Sequence, residues 1–133
     1  MTSQPSGLTR NQSLVLGALS ETGTPMSAYD ILDRLRDSGL RAPLQIYRAL
    51  EKLVDQGAVH RLESMNAFVA CSHAKCHDTG LVAFAICDGC GTVSEFSDAE
   101  VSKRLGAWTR RNNFSATKTT IEIRGECSAC SMA

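Results

Sequence analysis

Apolar residues in the first third of the chain recur at three- and four-residue intervals, the spacing that gathers them on one face of an α-helix. Asn11 to Glu21 carries Val15, Leu16 and Leu19 and stops at the breakers Gly23 and Pro25. Ser27 stands where an N-cap belongs, and Ala28, Ile31, Leu32 and Leu35 follow at helical spacing up to Gly39. A third helix is predicted from Pro43, a residue suited to a first turn, with Gly57 just beyond its end. Its inward face is Ile46, Leu50 and Leu53; its opposite face carries Gln45, Arg48 and Lys52, which can donate hydrogen bonds to phosphates or base edges. The pattern then turns to short alternation, with Val59 to Glu63 and Ala67 to Cys71 as two strands around a turn at Ser64, Met65 and Asn66. Three helices and a hairpin make a winged helix-turn-helix. Taken alone, the third helix is as readily an amphipathic surface helix with ordinary cations.

Ser72 to Gly80 is polar and without period, so it reads as a hinge. Leu81 to Ile86 is an apolar run of strand length, and Thr92 to Phe96 is its partner across a turn that holds Cys87 and Cys90. Ser97 and Glu100 form a capping-box pattern ahead of a helix whose apolar stripe is Val101, Leu105 and Trp108. Thr117 to Arg124 alternates, with Thr119, Ile121 and Ile123 on one face. The fold class is therefore α+β: a winged helix-turn-helix domain over 1–71, a hinge over 72–80 and a small α/β domain over 81–133. So few strands with one apolar face are marginal alone, which favours pairing with a second copy.

Composition changes this picture in two ways. The 133 residues carry 14 basic and 14 acidic side chains, so no overall basic charge argues for nucleic acid and any DNA contact must be a local patch. All six cysteines, Cys71, Cys76, Cys87, Cys90, Cys127 and Cys130, fall in the second half. The opening residues resemble neither a secretory signal nor a transit peptide, and no segment is long and apolar enough to span a membrane, so a cytosolic protein is expected. In that reducing compartment, clustered cysteines are metal ligands or redox groups more often than disulfides.

Cys87-x-x-Cys90 and Cys127-x-x-Cys130 are the strongest chemical signal. Each pair grips an ion from a tight turn, and four thiolates satisfy tetrahedral zinc without an open position, which makes the site structural. A lone pair could serve as a redox dithiol; two pairs argue for zinc.

The run Ile86-Cys87-Asp88-Gly89-Cys90-Gly91-Thr92-Val93-Ser94-Glu95 resembles the metal-site motif of the Fur family of metalloregulators, and Cys127-Ser128-Ala129-Cys130 fits the same pattern. Ile46-Tyr47-Arg48-Ala49-Leu50 resembles that family's recognition helix, and Val59 to Ser64 followed by Cys71 is similar to its zinc-sensing branch, Zur. The resemblance spans roughly residues 10 to 131 and implies a homodimeric repressor that binds operator DNA when zinc is plentiful and shuts off zinc-uptake genes. It implies a structural zinc on Cys87, Cys90, Cys127 and Cys130, and a regulatory zinc on His60, Cys71, a hinge histidine and Glu95. His77 is the favoured hinge ligand, with His73 and Cys76 as alternatives. It also sets Tyr47 and Arg48 at base edges and Arg41 and Lys52 at phosphates, beside Gln45.

Two imidazoles, a thiolate and a carboxylate form a competent zinc set, and the thiolate disfavours hard ions. Singly, each of these residues is more often a surface histidine, a small buried cysteine or a solvated glutamate. Iron and nickel sensors of the same family are the competing assignment; with three histidines in the whole chain, a site rich in imidazole is not expected. A zinc-ribbon interaction protein would need neither Arg48 nor a wing. No HExxH, deaminase or nucleophile-elbow pattern points to an enzyme.

Overall fold

The computed structural model describes residues 7–71 and 81–131. The chain forms two compact units, Met1–Ser72 and His73–Ala133. The expected hinge, with His73, Cys76 and His77, lies outside the described residues.

The first unit runs α1 (Arg10–Thr22), α2 (Ala28–Leu35), a short 3-10 turn (Arg36–Ser38), α3 (Pro43–Asp55) and a hairpin of β1 (Val59–Leu62) and β2 (Ala67–Ala70). Capping boxes start the first two helices, Thr9 with Gln12 and Ser27 with Asp30, each satisfying amides that have no partner inside the helix. Helix α3 begins differently. Ala42 at its N-cap has no side-chain acceptor, and Gln45, reaching back as Gln12 and Asp30 do, accepts at Oε1 from the amides of both Arg41 and Ala42, each at 3.2 Å. Past the helix end Gly57 sits at φ 76°, a backbone state that costs a residue with a Cβ.

The core of this unit gathers the apolar faces of all three helices. Val15, Leu19, Ile31, Ile46, Leu50, Leu53 and Val59 are each at most 1% exposed. Burying such a side chain contributes roughly 1.5–3 kcal/mol. The hairpin is tied in by Met26 and Phe68, whose backbone groups exchange hydrogen bonds of 3.0 and 2.8 Å. Its register pairs Val59 with Ala70 and Leu62 with Ala67.

The second unit runs β3 (Leu81–Cys87), β4 (Val93–Phe96), α4 (Ala99–Arg111), β5 (Thr119–Gly125) and a one-turn α5 (Ser128–Ser131). The sheet order is β4-β3-β5, with β4 antiparallel and β5 parallel to the central β3. Strand β3 is paired on both edges, and its continuous apolar run is nearly all buried.

One expectation for α4 needs revision. Its N-cap is Asp98 and not Ser97: the Asp98 carboxylate lies close enough to accept from the amides of Glu100 (2.9 Å) and Val101 (3.1 Å) directly. The stripe of Val101, Leu105 and Trp108 forms as expected but is not covered, at 38%, 38% and 51% exposure, and no residue of α4 is buried. Trp108 packs on Phe114 with ring centroids 6.2 Å apart. No described helix is long and apolar enough to cross a membrane.

Candidate metal centre

The four-cysteine cluster follows from the sheet. Strands β3 and β5 are parallel and in register from Leu81 opposite Thr119 to Cys87 opposite Gly125, so both end at the same edge of the unit. Cys87 closes β3, and Cys127 comes two residues after β5. Between them the amide of Asp88 donates to the Gly125 carbonyl at 2.7 Å, and Arg124 Nε and Nη2 donate to Asp88 Oδ1 at 3.0 and 2.7 Å. The second pair is completed by Cys130 on α5. All four Sγ atoms lie within 4.8 Å of one another, with Cys90 and Cys127 at 3.8 Å. Four sulfurs each about 2.3 Å from a tetrahedral ion stand about 3.8 Å apart, so the cluster has the dimensions of a zinc site.

The local electrostatics fit the same ion. Cys87 Sγ receives backbone amides from Cys127 (3.3 Å), Cys90 (3.4 Å) and Gly89 (3.3 Å). These donors, Cys127 foremost, hold its pKa at about 6, below the ordinary 9.0. Cys90 is lowered too, chiefly by the Thr92 hydroxyl at 3.0 Å. Cys130 is pushed up to about 12, chiefly by its hydrogen bond with Cys87, which leaves it as the proton-bearing partner. Four thiols this close cannot all ionise unless a cation balances them, and a divalent ion takes the place of the shared protons.

Sequence reasoning identified the cysteines but missed what fits them together. A Cβ on Gly89 would stand 2.9 Å from Cys130 Sγ and 3.2 Å from its Cβ, so the knuckle closes only over a bare backbone. Thr92 and the Asp88–Arg124 pair were likewise unmarked. Their partners lie two residues and 36 residues away, and no periodic signal reports such contacts.

The first unit holds His60 and Cys71, two of the expected regulatory ligands. His60 lies opposite Val69, and Cys71 is two residues beyond it, its amide bonded to the Ala58 carbonyl at 2.8 Å. Period-two alternation puts Cys71 on the same face of the ladder as Val69 and makes it a diagonal neighbour of His60. Their ligand atoms are within 4.8 Å of each other, and His60 is only 6% exposed. Glu95 is carried by the second unit, half-buried on β4 opposite Phe84. His77 lies outside the described residues.

The expected DNA contacts sit on the exposed face of α3 and, for Arg41, just ahead of it. Arg41, Gln45, Tyr47, Arg48 and Lys52 are all exposed, and Tyr47 keeps 44% of its surface. Gln45 differs from the rest, because its oxygen is already engaged with the backbone. Tyr29 and Leu44, which no sequence pattern singled out, are exposed as well, at 61% and 57%.

Comparison with known proteins agrees with this geometry. The Ferric uptake regulator family matches residues 7–124. A zinc uptake regulation protein of Escherichia coli (strain K12) is 38% identical over 124 residues, which covers 92% of this chain and 72% of that protein. One from Mycobacterium tuberculosis (strain H37Rv) is 29% identical over 127 residues and 92% of each. Among solved structures, a zinc uptake regulator complexed with zinc and DNA superposes with a TM-score of 0.85 at 37% identity, over 94% of this chain and 83% of that one. The crystal structure of holo XcZur gives 0.84 at 39% identity, over 95% and 87%. The fold, the cysteine knuckles and these relatives together make the chain a member of the ferric uptake regulator family.

Proposed function

We propose that the chain is a zinc-responsive transcriptional repressor and not an enzyme, which binds operator DNA as a zinc-loaded homodimer and represses zinc-uptake genes. The observation that carries this reading is the His60–Cys71 pair. A thiolate and an imidazole stand together in the wing of the unit that presents Arg48 and Lys52, so metal chemistry is built into the DNA-binding unit itself. A zinc-ribbon interaction module would have no use for ligands there.

In this reading residues 1–71 bind DNA, 72–80 form the hinge, and 81–133 dimerise. Each subunit takes one structural zinc on Cys87, Cys90, Cys127 and Cys130 and one regulatory zinc on His60, Cys71, His77 and Glu95. The regulatory ligands come from wing, hinge and second unit, so binding one ion fixes the orientation of the two recognition helices. A dimer engages two half-sites only when those helices match the groove repeat, and ordering the hinge thus raises affinity without a new DNA contact. Arg48 and Tyr47 read base edges while Arg41 and Lys52 hold phosphates, and the protein works in the cytoplasm, where the operator is.

The test is a gel shift on duplexes selected from a random pool. Retention with zinc and release by a chelator is expected, with iron(II) and nickel(II) less effective. Equal retention in chelator removes the zinc switch, and stronger retention with iron or nickel reassigns the metal. That second outcome is the competing family assignment, and the thiolate at Cys71 is the observation against it.

A further inference from the structure

Gln45 is exposed on the face of α3 that carries Arg48 and Lys52, yet its carboxamide is only half available. Two backbone amides, of Arg41 and Ala42, point at one atom of its side chain, and a pair of N–H donors requires that atom to be the oxygen. This is the N3 half of a capping box, in which the third helical residue accepts the N-cap amide, and here it takes the preceding amide as well. What remains for a partner is the NH2 group, two donors and no acceptor. Gln12 on α1 repeats this. Its Oε1 accepts the amide of Thr9 at 3.2 Å, and its side chain lines the same groove between α1 and α3 as Gln45, Arg48 and Lys52. Asn11 completes that lining, and Glu51 is its one carboxylate.

We infer that Gln45 meets the operator as a hydrogen-bond donor only, so that the α1–α3 groove takes an acceptor of the duplex and cannot specify adenine. Glutamine reads adenine by giving its NH2 to N7 while its oxygen accepts from the N6 amino group. Here that oxygen is held by the backbone, and freeing it would strip the start of α3 of its cap. The acceptors that fit are a phosphate oxygen, O6 and N7 of guanine, or O4 of thymine. The inference rests on the DNA-binding reading above.

The test uses the full-length, zinc-loaded dimer, duplexes selected by the wild type from a random pool, and the variants Gln45→Glu and Gln45→Ala. Glutamate keeps the oxygen that caps Arg41 and Ala42 but removes both donors. Gln45→Glu should therefore melt with the wild type yet lose about tenfold or more in operator affinity, the size of one hydrogen bond to a charged group. Gln45→Ala should lose both affinity and thermal stability. A loss equal on all sequences and shared by Gln45→Ala identifies a phosphate; a loss confined to one guanine or thymine identifies its acceptor edge. Either supports donor-only contact. A sequence-blind loss in Gln45→Glu alone is charge repulsion and overturns the contact. Wild-type affinity in Gln45→Glu, or a loss confined to an adenine, overturns it too. If the wild type selects no duplex at all, the DNA reading itself fails and this inference goes with it.

Discussion

Gly89 is the residue on which the four-cysteine cluster most visibly turns. A methyl group there would meet Cys130 Sγ at 2.9 Å, closer than real contacts allow, and Cys87 Sγ at 3.6 Å behind it. Gly89→Ala should cost about 1–3 kcal/mol, as overpacking does, and lower the zinc content measured by plasma mass spectrometry. Gly17 inside α1 has nothing within 4 Å of its missing Cβ. Gly17→Ala should leave zinc unchanged and stabilise by roughly 0.5–1 kcal/mol, the ordinary penalty of a helical glycine. The cysteines also set a pH dependence. The Cys87 pKa in the folded chain is depressed, about 6 against 9.0, so its thiolate favours the fold above the ordinary value and that contribution fades as pH falls through about 6. Zinc release to a chromophoric chelator should increase as pH falls, because protons compete with the ion for the thiolates; release that does not increase with acidity would remove the thiolates from the site.

At the scale of elements, α3 and α4 carry opposite kinds of exposed face. On α3 the proposed donors divide by role. Arg48→Ala should cost about 1–3 kcal/mol and relax preference at one operator position, whereas Lys52→Ala should weaken all sequences alike and flatten the salt dependence. Binding measured on a matched panel of operator variants at several salt concentrations separates the two, and identical sequence-blind losses would remove Arg48 from base reading. On α4, Val101, Leu105 and Trp108 form an apolar stripe that the chain leaves exposed, the expected counterpart of a small unit that pairs with a copy of itself. Leu105→Glu should raise the dimer dissociation constant at least about tenfold, roughly 1.4 kcal/mol, in sedimentation equilibrium. An unchanged constant would place the dimer surface elsewhere. The stripe was legible from its spacing. That it stays exposed among the described residues was not, because periodicity says which residues share a face and not what meets them.

For the whole molecule, the decisive variant is Cys71→Ser. It should bind one zinc per chain where the wild type binds two, keep its dimer and melting temperature, and lose zinc-dependent operator binding. Linkage adds a reciprocal test: operator duplex should tighten the second zinc by the factor through which zinc tightens operator, typically 5- to 150-fold. Chelator competition with and without duplex measures it, and an unchanged zinc affinity would mean the wing pair is not the switch.

The sequence by itself determined the elements and the chemistry. Helical spacing and caps at Ser27, Pro43 and Gly57 fixed α2 and α3, alternation fixed the wing, and two Cys-x-x-Cys pairs announced a tetrahedral thiolate site, because these are local properties of neighbouring residues. The cap of α4 escaped, since Ser97 and Asp98 are both good caps and only backbone geometry chose the second. Tertiary structure alone decided that β5 runs parallel to β3. In that direction Cys87 and Cys127 finish at one end of the sheet. Turned the other way, a strand of seven residues rising about 3.3 Å each would carry the second pair roughly 20 Å from the first, and no ion could join them. Strand direction is set by the crossover through α4 and by packing, neither of which is written in the residues on either side of a cysteine.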